Sequence, residues 1–524
     1  MIRKLYALVA GDCAPDNPDS SQHQEVLLGG FLYLQILKER LDDYLNGIKT
    51  QIESDLRAEA QKLPRAKPVD FHDKRTIAQS IQRLHFDLGQ KMTYFLATGN
   101  LHSVSGLDLQ QVTGYTIVAE KLNFLRYLSH FRAVHRGSFF TTLRTTTVRK
   151  LLPESWGFIC PVHTPDGAPC GLLNHLSHTC KITTKAPDVS FLPDLIMSLG
   201  VSPASNIPTA KQVSCVQLDG RIIGWCTDPL AKHVAQILRF WKVNGEYNIP
   251  LDLEIGYVPT SNGGQYPGLF LFSTHARMTR PVKHIASDKE DWVGPFEQVY
   301  MSIAIKPTDV RPDSTHVEID PTNILSVVAN LTPFSDFNPS PRNMYQCQMG
   351  KQTMGTPGTA ISYRTDNKMY RLQTGQTPVV RTKLHAEYGM DHFPNGTNAI
   401  VAVISYTGYD MDDAVILNKS SVERGFAHGS IYKTEVVDLA AKRKLGEKNV
   451  MYHFGFGPSV QTGLADRLKD TIDDDGLPFL GTLLREGDPL VVYWDDITER
   501  TMIESYHGPE DAFVDEVRIL GSSI

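Results

Sequence analysis

Between Gly408 and Phe426 the chain reads GYDMDDAVILNKSSVERGF, with Asp410, Asp412 and Asp413 directly before the apolar run Ala414–Leu417. Carboxylates held at the rim of a strand are suitable ligands for a hard cation such as magnesium, which takes oxygen donors. The same letters suit a polar turn, Gly408 to Asp412, that leads into a core strand, because turns favour Gly and Asp. Side chains alternate faces along a strand, so Asp412 and Asp413 would not both look at one ion. The residues alone leave both readings open.

Two further stretches concentrate positive charge. Between Glu120 and Glu154 there is no acid, and seven cations fall in that gap: Lys121, Arg126, Arg132, Arg136, Arg144, Arg149 and Lys150. A block of one sign, interleaved with Phe131, Phe139 and Phe140, suits a phosphate backbone with stacking nearby; the plain alternative is a basic surface with no ligand. A second acid-free stretch lies between Asp336 and Asp366 and contains Arg342, held behind Ser340-Pro341, then Lys351 and Gln352. Its glycines, Gly350, Gly355 and Gly358, allow close approach of backbone to a ligand. Taken alone it reads as an irregular Gly-rich loop. Neither GxxxxGK[ST] nor GxGxxG occurs, and no nucleophile–base pair or cofactor loop marks a self-contained small-molecule enzyme.

The elements that must position these residues change character along the chain. Leu34, Leu37, Leu41, Leu45, Ile48, Ile52 and Leu56 recur at spacings of three and four and predict a long helix ended by Pro64 and Pro68. A second helix is expected over about 76–96, capped near Gly99 and Asn100, and a third over 115–135. From about 186 strands take over. VSCVQLDGRIIGWC alternates around Asp219-Gly220, a two-residue hairpin signal. GLFLF, PLVVYW and FVDEVRIL read as further strands, the last two in the chain's final hundred residues together with the acidic turn DDDG at 473–476. Helix first and sheet later predicts a multidomain α+β fold.

At 524 residues about two to four domains are expected. Hydrophobic content of 41% and charged content of 21% suit a folded protein, and a net charge of −6 excludes a uniformly basic nucleic-acid binder without excluding a basic groove. Seven scattered cysteines form no CxxC pair, so free thiols are expected and a zinc site is not. The apolar run Leu5–Ala10 is short for a signal peptide, and no segment reaches the length of a membrane span.

Read together, SWGFICPVHTPDGAPCGLLNHLS (155–177), SPRNMYQCQMGKQTMG (340–355) and the acidic segment resemble the second-largest subunit of multisubunit RNA polymerases. The segment LSHFRAVHRGSFFTTLRTTTVRKLLPESWG is similar to the RNA polymerase I form, which makes ribosomal RNA precursor in the nucleolus. Relatives in other polymerases carry a P-x-E-T-P-E-G motif; here His163 and Asp166 stand at its acidic positions.

The resemblance implies a layout: residues 1–95 as the end of the lobe and the returning half of the protrusion, 96–185 as a mixed fork, 186–320 as β-rich external domains, 321–430 as the first, barrel-like part of the hybrid-binding domain, and 431–524 as the wall. It implies an internal stretch of a longer subunit, since the family's GDKFxSRHGQKG segment and C-terminal zinc-binding anchor have no counterpart here. It implies nucleotidyl transfer from NTPs, in partnership with the largest subunit, which carries the main Mg²⁺ loop, and with the other polymerase I subunits. Arg342 matches the arginine that contacts the incoming triphosphate. Asp413 matches the acid that approaches the second, nucleotide-borne magnesium, and Asp412 its neighbour. Lys351 and Gln352 are candidates facing the RNA–DNA hybrid. Arg132, Arg136 and Arg149 are candidates for holding DNA by its phosphates. The competing expectation is a non-catalytic nucleic-acid-binding or assembly fragment that kept the fold and lost the chemistry.

Overall fold

The structure is a computed structural model that describes all residues except 1, 62–69, 71–72, 85, 104, 208–212, 262–263, 443–450, 459–461 and 522–524. Two units form: Met1–Arg364 with Lys368–Tyr432, and Thr365–Asn367 with Lys433–Ile524. Both mix helix and sheet, so the fold is α+β, and among the described residues no sheet closes into a barrel.

The first unit opens with four helices, α1 (Ile2–Ala10), α2 (Gly29–Ala60), α3 (Lys74–Arg83) and α4 (Leu88–Thr98). The long helix expected from the leucine spacing is α2. Its burial falls on Leu32 and Ile36, which pack with Met92, Phe95 and Leu101, while Leu34, Leu45 and Leu56 stay exposed. Periodicity identifies a stripe but not the neighbour that covers it. Pro64 and Pro68 lie outside the described residues. The second expected helix is in fact two, α3 and α4. Asp87 breaks it by accepting the Gln90 N–H at 2.9 Å and so starting a new helix. Gly99 ends α4 in the left-handed conformation, φ 67°, as its cap position requires.

The third expected helix shrinks to α5 (Phe124–Phe131). Asn123 caps it, and beyond Phe131 the chain turns into β1 (Ala133–His135), paired antiparallel with β2 (Leu173–His175). Ile117 and Val118 are exposed, so the helical spacing upstream of the cap was coincidental.

Strands then dominate. After β3 (Lys181–Ile182) and α6 (Leu192–Ser198) come β4 (Ser202–Pro203), β5 (Val213–Leu218), β6 (Arg221–Thr227), α7 (Asp228–Asn244), β7 (Glu254–Val258) and β8 (Gly268–Phe272). The sheet order is β4-β6-β5-β8-β7, with β5 and β8 parallel. Asp219 and Gly220 both take positive φ, the hairpin turn expected there. Val234 and Leu238 of α7 bury with Val216, Ile255, Leu269 and Leu271 in the largest apolar core. A second sheet, ordered β10-β9-β12-β11, is built from β9 (Met278–His284), β10 (Lys289–Val293), β11 (Ile303–Ala304) and β12 (His316–Val317), with β3 added on β9 and the short α8 (Pro295–Gln298) between.

After α9 (Val327–Asn330), the stretch that alone reads as a Gly-rich loop is the helix α10 (Ser340–Gln352). Pro341 sits in its first turn, where a missing N–H costs nothing. Between α10 and residue 433, among the described residues, β13 (Lys368–Leu372) and β14 (Gly429–Lys433) form a two-stranded sheet, in place of the barrel-like part expected over 321–430. The second unit holds β15 (Tyr452–Phe454), β16 (Leu483–Leu484), β17 (Pro489–Asp495), β18 (Thr501–Ser505) and β19 (Ala512–Phe513), in sheets β15-β17-β18 and β16-β19. PLVVYW is β17, but FVDEVRIL contributes only Phe513 to a strand.

Candidate functional site

Arg342 stands in the first turn of α10 and is exposed. Among the described residues no acid pairs with it; its guanidinium lies 5.8 Å from the Tyr345 ring. The partial positive charge of a helix N-terminus disfavours a cation there and favours an anion. Arg342 is a fork-shaped cation at that end, without a counter-charge among the described residues, a geometry compatible with an anionic ligand. The turn before the helix is tied to it, since Asn343 Nδ2 donates to Ser335 O at 2.7 Å.

The opposite face of α10 is interior: Asn343, Cys347 and Lys351 follow at spacings of four and are buried. Cys347 packs with Cys160, Val328 and Ala329, and burial pushes its thiol up to about 12. Lys351 therefore lies inside rather than on the surface, and burial pulls its amine down to about 8. Gln352, next in sequence, is exposed. His163, at the position where related motifs carry an acid, stacks on His175 with ring centres 3.6 Å apart, and its Nδ1 lies 2.7 Å from Ser326 Oγ. Burial holds both rings neutral, His175 near 3 and His163 below the range where histidines titrate. The substitution thus fills a core with a neutral ring instead of placing a charge there.

Asp412 and Asp413 lie together in an exposed turn, with φ of 55° and 64°. The following run, Ala414–Leu417, is not a buried strand: Val415 is 77% exposed and no described strand pairs with it. Strand-like alternation of faces is therefore absent at this turn, and Asp412 and Asp413 are both exposed. Aspartate is among the few residues other than glycine that enter the left-handed region, so two of them in succession are tolerated in this turn. Among the described residues no three His, Cys, Asp or Glu side chains form a metal cage. One or two exposed carboxylates nonetheless fit Mg²⁺, which keeps its waters and leans on substrate phosphates. Among the described residues the side-chain contact of Arg342 is with the Tyr345 ring, and neither aspartate pairs with it.

The basic block divides by what each cation touches. Arg132 donates from Nη2 to Ser177 O at 2.7 Å, and to His178 O and Cys180 O at longer range. Arg136 pairs with Asp19 at 2.9 Å, donates to Val148 O at 3.1 Å and lies over the Phe140 ring. Arg149 donates to Ala168 O and Cys170 O at 2.5 and 2.9 Å. Its backbone presses on Gly171, where a Cβ would come within 2.5 Å of Arg149 O at a φ of 75°. Arg126 pairs with Glu120. Arg144 and Lys150 remain exposed. The three arginines expected to hold phosphates are thus engaged with the protein itself.

Sequence reasoning missed Asn123, although an asparagine directly before an apolar helical run is a readable cap signal. It is 1% exposed. Its Oδ1 accepts the Arg126 N–H at 2.7 Å while its Nδ2 donates to Thr353 O at 2.6 Å and Gly350 O at 3.1 Å, across to the end of α10. The His163–His175 stack was also missed; only its departure from the acidic motif could signal it. Among the described residues no helix is long and apolar enough to cross a membrane.

Comparison with known proteins gives three family matches: RNA polymerase Rpb2, domain 3, over residues 117–182; RNA polymerase I, Rpa2 specific domain, over 223–280; and RNA polymerase Rpb2, domain 6, over 328–519. The chain is 60% identical to the DNA-directed RNA polymerase I subunit RPA135 of Saccharomyces cerevisiae, covering 99% of this chain and 43% of that protein. It is likewise 60% identical to the DNA-directed RNA polymerase I subunit RPA2 of Eremothecium gossypii, over 99% and 43%. It is 48% identical to the Homo sapiens subunit of that name, over 99% and 45%. The chain therefore spans less than half the length of these curated relatives.

Proposed function

The chain belongs to the second-largest-subunit family of DNA-directed RNA polymerase I, and from that premise we propose that it forms one side of the active centre that copies ribosomal RNA precursor from DNA. The observation that carries this reading is Arg342, an exposed cation at the N-terminal end of α10 that no acid neutralises among the described residues. Its planar fork takes two oxygens of an incoming nucleoside triphosphate, and the helix end adds a favourable field. Asp413, with Asp412 beside it, would hold a magnesium ion that arrives on the triphosphate. That ion neutralises charge on the phosphoryl oxygens when bound. Catalysis needs the largest subunit, where the family carries its principal metal loop.

Gln352 lies exposed on α10 and serves as the hybrid-facing polar group; Lys351 contributes from inside, as a buried positive field. In the fork, Arg132, Arg136 and Arg149 hold the segment in shape, and Arg144 and Lys150 meet nucleic-acid phosphates without reading sequence. The partners are the other polymerase I subunits, template DNA and the RNA–DNA hybrid. The place of work is the nucleus, and within it the nucleolus.

Arg342→Ala in an assembled polymerase tests the reading. DNA binding stays unchanged, while efficiency of single-nucleotide addition falls about 100-fold for all four nucleotides, as for loss of a charge-assisted contact beside the reacting phosphate. Arg342→Lys recovers part of it, keeping the charge but not the fork. Normal addition by Arg342→Ala, or a defect confined to one base, would show that the triphosphate is held elsewhere.

A further inference from the structure

We infer that Asn123 is the positioning residue that sets the reach of Arg342, by clasping the start of α5 to the end of α10. One side chain serves two helices. Its carbonyl oxygen accepts the Arg126 N–H at 2.7 Å and so starts α5; its amide nitrogen donates to Thr353 O at 2.6 Å and Gly350 O at 3.1 Å, which are left without helical partners at the end of α10. Asn395 Nδ2 donates to the same Gly350 O at 2.9 Å. Gly355 leaves room for the clasp: a Cβ there would meet Asn395 Oδ1 at 2.1 Å and the Asn123 side chain at 3.1 Å. Around it, Gly355 N–H bonds Leu122 O, Phe124 N–H bonds Thr356 O, and Phe124 stacks on Phe393 at 4.0 Å with planes 7° apart.

The consequence is mechanical. Helix α10 has 13 residues, with Arg342 in its first turn and the clasp at its last. A short helix moves as a rigid rod, so a change of seat at its C-terminal end tilts the opposite end. Asn123 is 1% exposed and has no route to a substrate of its own; it acts through Arg342. Because Asn123 also starts the helix of the basic block, the nucleic-acid-holding segment and the triphosphate-holding arginine share one anchor.

The inference rests on the triphosphate role of Arg342, and a double-mutant cycle separates the two. Asn123→Ser keeps a hydroxyl cap for α5 and removes the amide that reaches α10. In a polymerase with the full-length subunit, it lowers kcat/KM for nucleotide addition about tenfold for all four nucleotides and leaves the salt dependence of DNA binding unchanged. In an Arg342→Ala background, Asn123→Ser adds nothing, because there is no arginine left to aim. A purely structural role would lower activity by the same factor in both backgrounds, and that result, or no effect of Asn123→Ser at all, overturns the proposal. If Arg342→Ala itself adds nucleotides normally, the triphosphate reading fails instead. Should Asn123→Ser not assemble, Asn395→Ser, which removes one of the three side-chain donors to Gly350 O, the third being Thr353 Oγ1, runs the same cycle with a smaller expected factor and the same criterion.

Discussion

Two regions of the first unit treat charge in opposite ways. Beneath α7, Asp291 is fully buried and gathers three basic groups: Arg239 at 2.9 Å, Lys242 at 2.8 Å and His316 at 3.1 Å. Arg239 reaches on to Glu297 at 2.8 Å, and Lys242 donates to Leu253 O and Trp292 O. Nearby, Arg280 grips Glu318 through two bonds of 2.8 Å. At Arg342 and Asp412–Asp413 the charges are exposed and, among the described residues, make no such pairs. A charge in the interior must be matched by the chain, because an unmatched one is costly to desolvate. A charge left unmatched at the surface costs little in the free protein and is available to a ligand. The amount of charge is thus a poor guide to function, and the identity of its partner a good one.

The comparison breaks first at Asp291. Asp291→Ala leaves the buried Lys242 ammonium without a counter-charge and takes one partner each from Arg239 and His316, and should cost about 3–5 kcal/mol, seen as a large fall in the unfolding midpoint of the purified chain. A small change there would mean that the network is solvated and that burial does not separate the two regions. Arg132 is an intermediate case, since its charge is spent on carbonyls. Arg132→Ala should cost about 1–3 kcal/mol by leaving Ser177 O and its neighbours short of a donor, with the salt slope of DNA binding unaltered. A flattened slope would return Arg132 to the phosphate-holding set.

Glu254 sharpens the contrast through pH. Burial, then the charge of Glu297, raises its carboxyl from 4.5 to about 7. The folded state therefore binds this proton more tightly than the unfolded state. The stability it contributes is full below the ordinary carboxylate value, is lost as pH rises from 4.5 to about 7, and is flat above. Isosteric Glu254→Gln should remove that decline, read as denaturant midpoints across the window. An unchanged decline would assign it to another group. The smallest effect belongs to the exposed cations. Arg144→Ala and Lys150→Ala should each change stability by less than about 0.5 kcal/mol, yet each should reduce the salt slope of DNA binding by about one. An intact slope in the double variant would make the whole block structural.

Much of the local structure was legible from residue order. The long helix α2, the hairpin at Asp219-Gly220, the Gly99 cap and strand β17 all follow from periodicity or from a residue with few conformational choices. These signals act within a few residues, and the chain carries them wherever it goes. The errors came where a local signal competes with a neighbour. Asp87 and Asn123 cut two expected helices short, because a capping side chain starts a helix at its own position. Ala414–Leu417 has a strand's composition but no described edge to pair with, so Asp412 and Asp413 share a turn instead of opposite faces.

The sequence by itself determined family and candidate residues, because long motifs such as SPRNMYQCQMGKQTMG survive as strings. Only the tertiary structure decided the partner of each charge. Arg132 and Arg342 are the same side chain in similarly basic, acid-free stretches, yet one faces three backbone carbonyls and the other faces solvent at a helix end. Their partners lie about 45 residues away in one case and outside the chain in the proposed other. Contacts that long are set by packing, in which distant segments must fill one volume and satisfy each other's polar groups.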